Sequence, residues 1–167
     1  MLSVRARAFQ IGRHVCGAEV RQQLSEWTDP QPALPRNGKV VSMDRKQVAD
    51  WIAAYERVWR TPGTAALGML FTEDASYQQG PYWTPVVGLP AIAQMWEQQR
   101  KGPDEVFQMT GEIVAVDGDT AVARQEVRYG DPVDQEYRDL WIMRFTDDGR
   151  CRSFEEWPFW PGLQPAA

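Results

Sequence analysis

Two carboxylates, Asp139 and Glu156, lie in consecutive strand-like runs of this 167-residue chain, each among large apolar side chains. Side chains alternate across a strand, so in EYRDLWIMRF one face carries Tyr137, Asp139, Trp141, Met143 and Phe145. The other carries Arg138, Leu140, Ile142 and Arg144. In CRSFEEWPFW, Phe154 and Glu156 share a face opposed by Ser153, Glu155 and Trp157. The faces holding Trp141, Met143, Phe145 and Phe154 read as the core side, which turns Asp139 and Glu156 inward as the candidate catalytic pair. Desolvation disfavours a charged carboxylate and raises its pKa, which makes such a group a workable general acid or base near neutrality. The competing reading is structural. Twenty acidic residues lie in 43–167, most of them solvated, and a strand Glu beside Arg124 or Arg128 more often forms an ion pair. A bulge in either strand would also invert the faces.

Aromatic residues supply the candidate binding surface. Tyr55 and Trp59 are four apart on a helical pattern, where they either line a pocket or pack in the core. Tyr77 falls on a short strand, Trp83 in a loop beside Gly80-Pro81, and Trp141 beside Asp139 on the inward face. Aromatic bodies with polar handles suit an apolar small molecule, and a tyrosine can donate to a developing oxyanion. Arg124 and Arg128, alternating with Glu126, form either an outward ion-pair ladder or anchors for a ligand carboxylate.

The absences narrow the chemistry. His14 is the one histidine and lies far from these residues in sequence, so a Ser-His-Asp or Cys-His site would need the N-terminal segment to fold back. No carboxylate or histidine spacing suggests a metal, and no G-x-G-x-x-G or Walker-type loop suggests a nucleotide, so no cofactor is expected. Cys16 and Cys151 have no disulfide spacing, and Cys151 reads as inert; a cytoplasmic location is expected. Residues 1–42 hold six Lys/Arg against three Asp/Glu, while 43–167 hold twelve against twenty. So acidic a main part disfavours nucleic acid and anionic membrane as partners. No apolar run reaches the ~18 residues a membrane helix needs.

Residues 106–160 must position the carboxylates. They read as four strands broken by turns at Asp117-Gly118, Gly130-Asp131-Pro132 and Asp148-Gly149, strong hairpin signals because glycine adopts positive φ freely. A helix precedes them, with Ser42 as N-cap, Asp44 in its first turn, and Val48, Trp51, Ile52, Tyr55, Val58 and Trp59 along one stripe. Thr61-Pro62-Gly63 ends it and opens a short second helix reaching Leu70. A strand near Ala75–Gln79, a loop GPYWTPVV and a third helix near Pro90–Arg100 follow. Residues 1–42 read as an extension with a short helix over 18–27 and the Pro-rich linker DPQPALPRNGK; 43–160 form the domain and 161–167 a tail. The phrase WPFWPG suits a lid over the opening or a pairing surface between copies.

The passages FTEDASYQQGPYWTPVVGLPAIAQMW, VDGDTAVARQEV and LWIMRFTDDGRCRSFEEW, in this order, resemble the nuclear transport factor 2-like superfamily in its SnoaL-like branch. The resemblance covers about residues 43–160 and implies an α+β cone. Three helices would pack on a strongly curved, mainly antiparallel sheet enclosing a pocket, with copies pairing through the outer sheet face as a homodimer. Family members include isomerases, polyketide cyclases, epoxide hydrolases, dehydratases and non-catalytic binders, so the fold does not select an activity. The expectation is a protein that binds a small hydrophobic or aromatic metabolite. It either turns this ligand over by cofactor-free proton transfer or serves as a binding or interaction module.

Overall fold

The computed structural model describes residues 42–102 and 104–162; the proposed N-terminal helix, the linker and most of the tail lie outside the described residues. Helix α1 spans Arg45–Arg60 and buries Val48, Trp51, Tyr55 and Val58, the stripe expected from their spacing. Its N-cap is Asp44, not Ser42. The Gln47 backbone N–H donates to the Asp44 carboxylate at 2.8 Å, and the Asp44 N–H donates to Gln47 Oε1 at 2.8 Å. This reciprocal box satisfies two of the free amides at a helix start, which Ser42, two residues upstream, has no geometry to do. Arg57 and Arg60 in the last turn complement the negative end of the helix dipole.

The second helix is shorter than expected. α2 covers only Leu67–Leu70, because Gly63 takes a left-handed φ of 81° and residues 61–66 run as bends and a turn. Strand β1 begins earlier than its pattern suggests, at Phe71, and runs to Gln78. It pairs in parallel with β6 (Cys151–Phe159), and a register shift between Phe71 and Ser76 breaks the alternation that would have revealed the first half. Val86–Val87, expected as loop, forms a two-residue strand β2 on the free edge of β1, with Gly88 N–H donating to Ala75 O at 2.8 Å. Helix α3 spans Leu89–Gln99 and buries Ile92 and Trp96.

The four-strand meander is β3 (Phe107–Asp117), β4 (Thr120–Tyr129), β5 (Gln135–Phe145) and β6. The six strands lie in the order β2-β1-β6-β5-β4-β3, antiparallel except for β1 with β6, and form one open sheet. Its concave face carries the core: Trp51 and Tyr55 of α1 and Trp96 of α3 pack against Phe71, Tyr77, Trp141, Met143, Phe145 and Phe154. Trp51 is wedged edge-on between Phe71 and Phe145, at 5.7 and 5.6 Å between ring centroids, and its indole N–H donates to Leu70 O. Edge-to-face pairs of this kind add to the area they bury.

Arginine of α1 also closes the exposed edge of the sheet. Arg45 donates to the carbonyl of Ile113 at 2.8 Å, and Arg60 to that of Phe107 at 2.9 Å while lying over the Phe107 ring. An uncovered strand edge offers free backbone groups for unwanted pairing, and these side chains occupy some of them. The convex face bears the expected ion-pair ladder: Arg124 with Glu112, Arg128 with Glu126 and Glu136, and Arg138 with Glu126. Trp157 to Phe159 do not fold over the opening as a lid. They continue β6, with Arg138 of β5 paired to Phe159. No described helix is long and apolar enough to cross a membrane.

Candidate functional site

The alternation reading holds where it matters. Across the concave face, Trp141 of β5 lies opposite Glu156 of β6, and Met143 opposite Phe154. Bulges fall elsewhere, between Ile113 and Ala115 on β3 and between Arg144 and Phe145 at the far end of β5. The inward parity of residues 137–143 and 154–158 is therefore undisturbed.

Glu156 ends a chain of three hydroxyl and carboxyl groups. Tyr77 Oη donates to Glu156 Oε2 at 2.7 Å, and Tyr55 Oη lies 2.8 Å from Tyr77 Oη. A phenol has one proton, and Tyr77 commits its own to Glu156, so Tyr55 must donate to Tyr77. Gln79 adds a longer contact, 3.5 Å from its Nε2 to Glu156 Oε2, and is itself held by two hydrogen bonds with Gln99. The rings are tightly enclosed: Tyr55 stands 4.7 Å from Trp141 and 4.9 Å from Trp96, and Tyr77 stands 4.7 Å from Phe154.

Asp139 is the contrasting partner. It is 6% exposed, its Oδ1 has no hydrogen-bond partner, and it lies opposite Gln125 on β4. Burial first, and then the charge of Glu156, push its carboxyl up to about 8. Burial also raises Glu156, but the Tyr77 hydroxyl, then Gln79 and the Trp141 indole, pull in the opposite direction. The Trp141 N–H favours both carboxylates through space yet completes a hydrogen bond to neither. The donors on Glu156 set the order of ionisation: Glu156 gives up its proton before Asp139, whose carboxyl then feels the Glu156 charge. Burial, followed by the Glu156 charge, holds the Tyr55 and Tyr77 phenols well above their usual pKa, so both remain donors.

Of the seven residues nominated by sequence, five converge here: Asp139, Glu156, Tyr55, Tyr77 and Trp141. Trp59 and Trp83 do not. Trp59 packs edge-on against Trp96 at 4.8 Å and lines a cavity of about 190 Å3 with Arg60, Arg100 and Lys101. Trp83 is 62% exposed in the loop after β1. A larger cavity of about 370 Å3 opens at the rim between residues 101–106 and 129–134, with Tyr129 in its wall. Neither cavity is lined by Asp139 or Glu156, whose surroundings are filled by Trp96, Trp141 and Phe154. Two residues of the site were missed, Gln79 and Gln125. Gln125 was legible: it sits between Ala123 and Val127 on the inward parity of β4, masked by the conspicuous Arg124, Glu126 and Arg128 on the other face. Burial pushes the Cys151 thiol up to about 12, consistent with an inert residue.

The raised Asp139 carboxyl has a definite effect on stability. Its folded pKa lies above its ordinary value of 3.8, so between about pH 4 and pH 8 the folded chain holds a proton that the unfolded chain releases. Stability must fall as pH rises through this window. Asp139→Asn removes the effect and should be more stable than the parent at pH 8, on the order of 1–3 kcal/mol. The gap should narrow toward pH 4, as followed by thermal unfolding at several pH values. A variant equally destabilised at both ends would contradict the assignment.

Residues 48–154, well over half of the chain, match the family of SnoaL-like domains. No curated protein matches it. Among solved structures, the chain is similar to SalBIII, an epoxide hydrolase/cyclase-like enzyme in pyran ring formation in the polyether salinomycin. The identity is 16%, over 70% of this chain and 93% of that one, with a TM-score of 0.57. It is also similar to an NTF2-like protein of unknown function from Mesorhizobium loti (22% identity, 72% and 99% covered, TM-score 0.53). A third is an LEH-like epoxide hydrolase of M. tuberculosis (12% identity, 68% and 84% covered, TM-score 0.52). At such identities these likenesses speak for the fold alone. The family match, the open curved sheet and the three helices among the described residues agree: the chain belongs to the SnoaL-like domain family, with the NTF2-like α+β fold.

Proposed function

We propose that this protein binds a small hydrophobic or aromatic metabolite on its concave face, where the aromatic side chains packed beside Asp139 and Glu156 shift to admit it, and acts on it by cofactor-independent acid–base chemistry. The observation that carries the reading is the asymmetric carboxyl pair. Glu156 is hydrogen-bonded by Tyr77 and ionises first, while Asp139 is buried, unpartnered at Oδ1 and pushed up to about 8. Two carboxyls whose environments push their pKa values apart supply a base and an acid side by side. Glu156 would accept a proton from a carbon acid or a water, and Asp139 would donate one to the oxygen that develops charge. Tyr55 and Tyr77 hold Glu156 in place and stay protonated donors. Isomerisation, cyclisation, dehydration and water addition to an epoxide can all use this pairing. The solved relatives named for epoxide hydrolysis and cyclisation fall within the same range.

Turnover of a β,γ-unsaturated cyclic ketone and of a cyclic epoxide tests the reading. Asp139→Asn and Glu156→Gln should each lower kcat by about a hundredfold or more, and Tyr77→Phe by about tenfold. Retained ligand binding with no turnover in the parent would favour the non-catalytic binding module instead.

A second element of the proposal is pairing of two copies through the convex face. Phe159 and Trp160 are 48% and 39% exposed, and Leu140 and Trp157 pair on the same outer surface between β5 and β6. Sedimentation equilibrium should return twice the chain mass, and Trp157→Glu with Phe159→Glu should return the monomer. A parent that sediments as a monomer at all concentrations would remove this element.

A further inference from the structure

Three buried N–H donors stand apart from the carboxyl pair: Arg100 Nε, Trp59 Nε1 and Trp96 Nε1, each without a hydrogen-bond partner among the described residues. They gather where α1 and α3 end. The Arg100 guanidinium lies 5.4 Å from the ring centroid of Trp59 and 5.4 Å from that of Trp96. Arg100 and Trp59 both line the cavity of about 190 Å3, together with Arg60, Glu97 and Lys101. The larger rim cavity has no unpartnered buried donor in its lining. Buried polar groups are nearly always hydrogen-bonded, so unspent donors beside an open volume mark a place where a ligand completes them.

The Arg100 side chain is 7% exposed, and its donors can be counted. Nη1 donates to Thr61 O at 2.7 Å and to Gly63 O at 3.1 Å, and Nη2 makes a longer contact with Val58 O at 3.4 Å. A guanidinium has five N–H groups, so two remain, one on Nε and one on Nη2. These two nitrogens form the edge of the fork that holds a carboxylate or a phosphate with paired bonds. The helix ends have their own donors. Thr61 Oγ1 donates to Arg57 O, the Thr61 N–H to Val58 O, and the Arg100 backbone N–H to Trp96 O.

Donor chemistry and charge select the occupant. Every unspent group is a donor, so the ligand must bring acceptors. Lys101 holds its ammonium 5.8 Å from the Tyr129 ring centroid and forms no ion pair among the described residues, whereas Arg60 is paired with Glu56. Glu97 is the one carboxylate in the lining. Its side chain is 51% exposed, and its oxygen stands 3.7 Å from Arg100 Nη1, beyond a normal hydrogen bond. An incoming anion therefore meets Arg100 and Lys101 against one carboxylate that can turn into solvent. The volume limits it to a small molecule.

We propose that this cavity is a binding site for a small oxyanion, a carboxylate or a phosphate, held by the Nε and Nη2 edge of Arg100 and the Trp59 indole N–H. Neither Asp139 nor Glu156 lines it, so the site is independent of the acid–base reading.

The test titrates acetate, inorganic phosphate and acetamide, the uncharged match to acetate, into the 15N-labelled full chain at constant ionic strength. The Arg100 Nε–H and Trp59 indole signals are assigned by their loss in Arg100→Lys and Trp59→Phe. Acetate or phosphate should shift both signals saturably, and acetamide should leave them in place. Whichever anion binds tighter tells a carboxylate site from a phosphate site. Arg100→Lys keeps the charge but loses the fork and should weaken binding about tenfold; Trp59→Phe should weaken it about threefold, each read on the other signal. Glu97→Gln removes the competing charge and should strengthen binding about twofold. No saturable shift with either anion, equal binding of acetamide, or affinity unchanged in Arg100→Lys would each overturn the proposal. Should Arg100→Lys not fold, Trp59→Phe and Glu97→Gln decide, and unchanged affinity in both overturns it.

Discussion

The hydrogen bond from Tyr77 to Glu156 is the constraint on which the rest of the site depends. It joins β1 to β6, the one parallel pair of the sheet, and through Tyr55 it ties α1 to both. Sequence separation between its partners is large, so nothing local specifies it; the aromatic core must bring the three elements together first. Trp51, Tyr55, Trp96, Trp141 and Phe154 do this, and their tilted and edge-on packing holds both phenol rings where their hydroxyls meet. Once Glu156 is held as a charged acceptor, Asp139 cannot ionise beside it without cost. The asymmetry of the pair follows from one donor placed on one carboxylate.

This arrangement trades stability for chemistry. A buried carboxyl with an unpartnered oxygen and a buried indole N–H beside it are expensive features in a core that is otherwise apolar. Replacing them with hydrophobic residues would be the cheaper solution for a purely structural interior, as buried ionic groups rarely repay their desolvation. The convex face shows the opposite logic. There the charges form exposed ladders whose individual worth is small, and they leave the ion pairs of β3, β4 and β5 away from the concave side. Charge is thus sorted by face: paired and solvated outside, acidic and sparsely partnered inside.

Much of this was legible in the sequence, for identifiable reasons. The meander announced itself because glycine-bearing turns separate runs of apolar and β-branched residues, and period-two alternation placed Asp139 and Glu156 on the inner side. That placement survived because the bulges fell at Ile113–Ala115 and Arg144–Phe145, outside the stretch that carries the pair. What the pattern could not show was tertiary. The first half of β1 was lost because its register shift against β6 destroys the alternation, and Val86–Val87 forms a strand only because β1 offers it an edge. Trp59 and Trp83 have the right chemistry but the wrong direction: one packs against Trp96 and the other stands in solvent. Gln125 is obscured in the sequence by charged neighbours on the opposite face, although it shares the inward parity of Ala123 and Val127.

The unequal carboxyl pair is the centre of the account, and carboxyl 13C NMR titration of the chain reads it directly. Asp139 should titrate near pH 8 in the parent, Glu156 should ionise before it, and Glu156→Gln should bring the Asp139 midpoint down by removing the neighbouring charge. An Asp139 midpoint in the ordinary carboxylate range near 3.8, unmoved by Glu156→Gln, would contradict the coupling and with it the proposed division of acid and base.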